Sequence, residues 1–228
     1  MKEIIHKAVE STHHWLHIIF AFFVSFWDRV AVIILFLCIC TGSIWYLARY
    51  TESPEMSLRQ HIVRVAESYL GYREDDGSHR QIVDTYNSHE PRARGYEVTY
   101  DDSWCAVFAS TVALESDMLG WIPMECSCEQ QILLFQQQDN WVEADHFMPK
   151  PGDYIYYDWN SKTSGDCTGW SDHVGIVVQT FGPAIKVIEG NKDDDVSYRY
   201  IFINDPSIRG FGIPDYHHYA SLEKKNCP

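Results

Sequence analysis

Cys105, His173 and Glu189 are residues whose types and spacing could act together chemically. They stand in three short segments, Ser103-Trp104-Cys105-Ala106-Val107-Phe108, Ser171-Asp172-His173-Val174-Gly175-Ile176-Val177-Val178 and Ile188-Glu189-Gly190-Asn191. A Cys–His pair oriented by a third polar group makes a thiolate nucleophile, and such a thiolate attacks an amide carbonyl. Cys105 follows the polar stretch Thr99-Tyr100-Asp101-Asp102-Ser103 and opens a helix. Unpaired N–H groups and the positive end of the helix dipole favour a thiolate there. Taken alone, Cys105 reads equally well as a buried structural thiol, because free Cys is among the most buried residue types. The ordered set of three segments favours chemistry.

His173 is one of 11 histidines. It differs from the others in standing at the mouth of an apolar strand, which turns through Phe181-Gly182-Pro183 and runs back to Glu189. If that hairpin loop has an odd number of residues, odd positions face one side on both strands. His173, Glu189 and Asn191 then share a face at one end of the sheet. A carboxylate at that place accepts the imidazole N–H, fixes the tautomer and stabilises the imidazolium. Without this parity, Glu189 reads as a solvated strand-end acid.

The elements that must position these groups can be read from periodicity and turn residues. Ser57 caps a helix to Tyr69 or Leu70, with Leu58, Ile62, Val65 and Tyr69 on one stripe and Gly71 as the stop. Residues 72–101 read mostly as loop, with a short helix near Gln81–Tyr86. A second helix starts at Trp104 or Cys105 with Asp102 or Ser103 as its cap and ends near Gly120; a further one covers Glu129–Gln138. Pro151-Gly152 suits the middle of a type II turn. Strands follow at Asp153–Trp159, His173–Thr180, Ile185–Glu189 and Val196–Ile203. Helices first and antiparallel strands after indicate an α+β domain.

Composition narrows the function classes. The formal charge of −14 argues against nucleic acid, whose binding rests on clustered Lys and Arg. It argues equally against long-range attraction to anionic surfaces. Val30–Ala48 carries no charge over 19 residues, bounded by Asp28-Arg29 and Arg49, with Trp45 and Tyr46 at belt positions. That reads as an uncleaved transmembrane helix in membrane lipid rather than a core helix or a cleaved signal peptide, since no A-x-A-like site follows. Trp15–Trp27 is apolar but short, which suits an interfacial or re-entrant segment. Basic residues flank the span on both sides, so charge does not set its orientation. The organisation expected is an N-terminal cytoplasmic or interfacial segment over 1–29, a span over 30–48, a linker over 49–56 and one domain over 57–228.

The Trp-Cys-Ala-x-Phe start, the Pro-Gly-Asp turn into a strand, Asp-His-Val-Gly-Ile-Val and the closing Glu-Gly-Asn together resemble the CHAP family. These are cysteine- and histidine-dependent amidohydrolases and peptidases related to NlpC/P60 peptidases. The resemblance covers about Ser57 to Asn191. It implies a papain-like core, with N-terminal helices packed on a small antiparallel sheet. It makes Cys105 the nucleophile, His173 the base, Glu189 the orienting residue and Asn191 an auxiliary polar group. The implied substrate is peptidoglycan, cut between muramic acid and L-alanine or within the peptide stem or cross-bridge. With the anchor, this places the domain outside a bacterial cell membrane that the chain crosses once.

Trp104, Trp159 and Trp170 flank the motifs and either line a groove for a glycan–peptide strand or pack in the core. Asp101-Asp102 are adjacent and lack the alternation of a calcium loop, so neither metal nor other cofactor is expected. Asp193-Asp194-Asp195 reads as a solvated loop. Cys126-x-Cys128 is poor zinc spacing; a disulfide from either to Cys167 competes with simple buried thiols, and Cys227 is also left over. Two readings compete with the hydrolase: a cysteine transpeptidase or amidase on small peptides, and a non-catalytic wall-binding or assembly module.

Overall fold

Ser53 and Pro54 fix where the first helix of the domain begins. The Ser53 side chain accepts the Met56 N–H at 3.1 Å, and Pro54, which has no N–H to lose, takes the first helical position. The helix therefore starts ahead of Ser57, and Pro54–Met56 belongs to it rather than to a linker. The computed structural model describes residues 29–31, 33–43, 53–144, 146–159 and 169–226. The chain divides into two units, one before and one from Ser53.

In the first unit, residues 29–31 and 33–43 are helical (α1), with Ile33, Ile34, Leu35, Phe36, Leu37 and Ile39 exposed. Among the described residues no helix is long and apolar enough to cross a membrane. The span expected over 30–48 lies partly, and the segment 15–27 wholly, outside the described residues.

The second unit is α+β. Its helices are α2 (Pro54–Ser68), α3 (Arg80–Asn87), α4 (Cys105–Glu115), α5 (Cys128–Gln137) and α6 (Tyr216–Asn226). Its strands are β1 (Trp141–Val142), β2 (Tyr154–Tyr157), β3 (His173–Phe181), β4 (Ala184–Lys192), β5 (Asp195–Phe202) and β6 (Ile208–Gly212). They form one antiparallel sheet in the order β1-β6-β2-β3-β4-β5. β1, β6 and α6 were not foreseen.

All of β2 is buried, and its alternation feeds two cores. Tyr154 and Tyr156 join Phe108, Val112, Ile132, Phe135, Val174, Ile176 and Ile188 on the helix side. Ile155 and Tyr157 join Val177, Ile185, Val187, Ile201 and Phe211 on the other. α4 is buried from Cys105 to Ala113, which suits its chargeless, small-residue sequence. It stops at Glu115, short of Gly120, where Asp117 takes a left-handed φ of 56°. A Cβ on Gly190 would meet Phe108 Cβ at 2.4 Å and the Trp104 ring at 2.9 Å, so α4 lies directly on the β4 backbone.

Pro151-Gly152 makes the expected turn. Asp153 N–H donates to the Lys150 carbonyl at 3.1 Å, and Gly152 has φ +83°. The Asp153 carboxylate then ties this turn to α2. Arg59 donates to it at 2.6 Å, to the Pro151 carbonyl at 3.1 Å and to Glu55 at 2.8 Å, while the Lys150 N–H donates to the other Asp153 oxygen at 2.8 Å.

The β3–β4 hairpin differs in detail from its expectation. Phe181 pairs with Ala184, leaving a two-residue loop, which by itself would set odd residues against even ones. A register shift between Val177 and Gln179 restores the parity, so that Ile176 faces Ile188. One step along that register brings Gly175 opposite Glu189. His173 and Glu189 thus share a face because of a bulge, not because of the loop length.

Candidate active site

The start of α4 lacks the cap expected of it. Asp102 is engaged in its own turn, accepting from the Thr99 N–H at 2.7 Å, the Thr99 hydroxyl at 2.8 Å and the Tyr96 hydroxyl at 3.0 Å. The N-cap position falls to Trp104, whose side chain makes no capping bond. The first-turn N–H groups are therefore not consumed by a side-chain cap, and that of Ala106 donates to the Cys105 sulfur. An uncapped helix start suits binding of an anionic sulfur and of a carbonyl oxygen that gains negative charge.

His173, the first residue of β3, links the thiol to the sheet. Its Nε2 lies 3.1 Å from Glu189 Oε2, so Nδ1 is the ring nitrogen left to serve the Cys105 thiol, with which the imidazole interacts. Glu189 is fully buried, and Arg199 of β5 donates to its two oxygens at 2.7 and 2.9 Å. Room for the carboxylate arm comes from Gly175, where a Cβ would stand 2.7 Å from Glu189 Cγ. The expected group of Cys105, His173 and Glu189 is thus brought together. Asn191 sits half-buried at the β4–β5 turn with φ 55°; the bonds to Glu189 come from His173 and Arg199 instead.

The electrostatics follow from these contacts. A hydrogen bond from Cys128, and behind it those with His173 and the Ala106 N–H, hold the Cys105 thiol well below its ordinary range, against the opposing effect of burial. Burial works against the His173 imidazolium, but its bonds to Cys105 and Glu189 outweigh it and lift the group to about 9. Burial likewise pushes Glu189 up, and the bonds from His173 and Arg199 more than reverse this. These shifts favour a thiolate–imidazolium pair backed by a carboxylate. Because the pair titrates together, its two steps belong to both groups.

The three tryptophans separate. Trp104 is fully buried and its indole N–H donates to Glu74 at 2.8 Å, so core packing replaces a substrate-lining role. Trp159 remains partly exposed. It stacks on Tyr157 at 4.7 Å between ring centroids, lies 6.2 Å from the His173 ring, and has the Arg199 guanidinium over its own ring at 4.7 Å from the centroid. Asp172 holds its backbone, accepting the Trp159 N–H at 3.0 Å. Trp170 is the most open, at 73% exposure.

Two residues near the thiol were not anticipated. Arg199 reaches Glu189 because Val187 pairs with Arg199, one diagonal step along the β4–β5 ladder. Cys128 opens α5 and puts its sulfur 3.7 Å from that of Cys105, both buried. Cys126 and Cys128 are free thiols; Cys167 and Cys227, and with them the expected disulfide, lie outside the described residues.

Residues 95–191 match the CHAP domain family. The matched stretch runs from just before the Asp102 turn to Asn191 and takes in Cys105, His173 and Glu189. No curated protein matches the chain. The CHAP match supports a cysteine- and histidine-dependent amidohydrolase or peptidase, and the hydrogen-bonded order thiol, imidazole, carboxylate has the geometry such chemistry needs.

Proposed function

We propose that this protein is a membrane-anchored peptidoglycan hydrolase that cleaves an amide bond through a thioester on Cys105. The reading rests on one observation above all: the His173 imidazole lies between the Cys105 thiol and the buried Glu189 carboxylate at the uncapped start of α4. The order of a nucleophile-bearing helix followed by antiparallel strands is read as a papain-like core.

In this mechanism the Cys105 thiolate adds to the amide carbonyl carbon, and N–H groups at the start of α4 take the oxyanion. His173 then gives its proton to the departing amine as the C–N bond breaks, leaving the acyl group on sulfur. The neutral imidazole next removes a proton from water, which attacks the thioester and releases Cys105 as thiolate. Glu189, held by Arg199, keeps the ring aligned and stabilises each imidazolium. Trp159, exposed beside His173, offers a flat apolar face to a sugar or stem-peptide group, with Trp170 further out; Asn191 is an auxiliary polar group at the strand end.

The exposed apolar side chains of α1 and the chargeless run from Val30 to Ala48 support anchorage in a bacterial cell membrane, with the domain facing the wall. The test incubates the full chain in detergent with purified cell walls and identifies the fragments by mass spectrometry. Release of fragments with new amino termini, lost in Cys105→Ala, is expected. A new terminus on L-alanine marks an amidase, and one within the stem or cross-bridge an endopeptidase. An inert unmodified chain, or a Cys105→Ala chain that is equally active, would reject the proposal.

A further inference from the structure

Among the described residues, the mechanism above leaves one buried thiol unused. Cys128 is the first residue of α5, is almost wholly buried, and lies 3.7 Å from the Cys105 sulfur across the joint between α4 and α5. That separation is within reach of an S–H···S hydrogen bond. Its direction follows from the rest of the site. Cys105 hydrogen-bonds the imidazolium of His173 and accepts from the Ala106 N–H, so as a thiolate it can only accept. The proton between the two sulfurs therefore belongs to Cys128.

We infer that Cys128 is a positioning residue for the nucleophile, its S–H donating to the Cys105 thiolate and holding it in place at the mouth of α4. This rests on Cys105 being the nucleophile. It assigns a part of the site that lies outside the Cys–His–Glu set, on a helix that none of those three residues occupies. The charged and titratable groups around the sulfur pair are His173 from β3 with Glu189 and Arg199 behind it, Glu129 beside Cys128 on α5, and the Tyr156 hydroxyl from β2. Tyr156 itself donates to Gln131 at 2.7 Å, so it is committed elsewhere. Of these groups, His173 and Cys128 are the ones that donate a side-chain hydrogen to the thiolate.

The test measures the rate at which iodoacetamide alkylates Cys105 as a function of pH, resolved by peptide mass spectrometry, in the unmodified full chain and in Cys128→Val, Cys128→Ala and Cys128→Ser. Losing a hydrogen bond to a charged group, from a weak donor, should raise the midpoint of the alkylation profile by about one pH unit in Cys128→Val and Cys128→Ala, which slows alkylation about tenfold on the acid side of that midpoint. Cys128→Ser keeps a donor and should restore the unmodified profile. A second readout follows the Cys128 thiol itself. The infrared S–H band lost on Cys128→Ser should lie at lower frequency than that of an ordinary thiol, and should return upward in Cys105→Ala, which removes the acceptor.

Profiles of Cys128→Val and Cys128→Ala that superimpose on the unmodified one, a serine variant as impaired as valine, or an S–H band indifferent to Cys105→Ala would each overturn the inference. Failure of the wall-hydrolase reading looks different. Cell walls would then stay intact while the alkylation profile still responds to Cys128.

Discussion

Two buried carboxylates in this domain meet cations in the same way and serve different ends. Asp153 lies at the turn into β2 and is bonded to Arg59 of α2; Glu189 lies on β4 and is bonded to His173 and Arg199. Both are withdrawn from water, which penalises the charge of each. At Asp153 that penalty prevails over Arg59 and pushes the carboxyl up, whereas at Glu189 two donors prevail and hold it down. The guanidinium of Arg59 is held charged throughout and passes no proton on, so the pair at the turn works as a tie between α2 and the sheet. Glu189 has as one partner a ring that can lose its proton, with a thiol on that ring's other side. A fixed cation makes a strut. A titratable one makes a relay.

The comparison is broken most severely at the relay. Glu189→Gln keeps the shape but removes the charge that aligns and stabilises the imidazolium, and hydrolysis is expected to fall about ten-thousandfold. The thermal midpoint should move far less, since a neutral amide still fills the space; a fall in activity that merely tracks unfolding would erase the distinction. The strut should respond in the opposite sense. Arg59→Met strands the Asp153 charge in the interior, at a cost of about 3–5 kcal/mol in stability by chemical denaturation, while turnover per folded molecule is unchanged. Loss of turnover in molecules that remain folded would make Arg59 part of the relay.

The smallest effect is the most diagnostic. His173 is raised from its ordinary 6.5 to about 9, so the stabilisation from its pairing is full below 6.5 and is lost as pH rises through about 9. Glu189 is lowered from its ordinary 4.5, so its share is present above 4.5 and is lost as pH falls through its depressed value. Activity and Cys105 alkylation should therefore hold across neutrality, and hydrolysis should halve near pH 9 as the imidazolium empties. An alkaline limb near 6.5 instead would mean that the ring is not paired.

Much of the relay was legible because each of its members sits in a local pattern. Cys105 opens a helix, His173 opens an apolar strand and Glu189 closes the next, and one hairpin joins the last two. The parity that unites them was inferred rightly but through the wrong device, since a bulge near Val178 leaves no mark in residue type. What the sequence hid depends on packing between distant segments. Arg199 reaches Glu189 only through the β4–β5 register, and Cys128 reaches Cys105 only where α5 meets α4. Trp104 drew attention by adjacency to the thiol, yet adjacent residues on a helix start point different ways, and its ring faces the core. The caps at Ser57 and Asp102 failed for the same local reason: Ser53-Pro54 offered an earlier start, and the Thr99 turn held the aspartate.

The missing side chain at Gly190 has a further consequence. With Phe108 and Trp104 resting on bare backbone there, the sulfur-bearing helix and the acid-bearing strand have no clearance in which to slide past one another. Alignment of the reacting groups is then as durable as the domain and no more so. Warming should produce no folded but idle stage, and the temperature at which turnover disappears should coincide with the temperature at which the sheet melts.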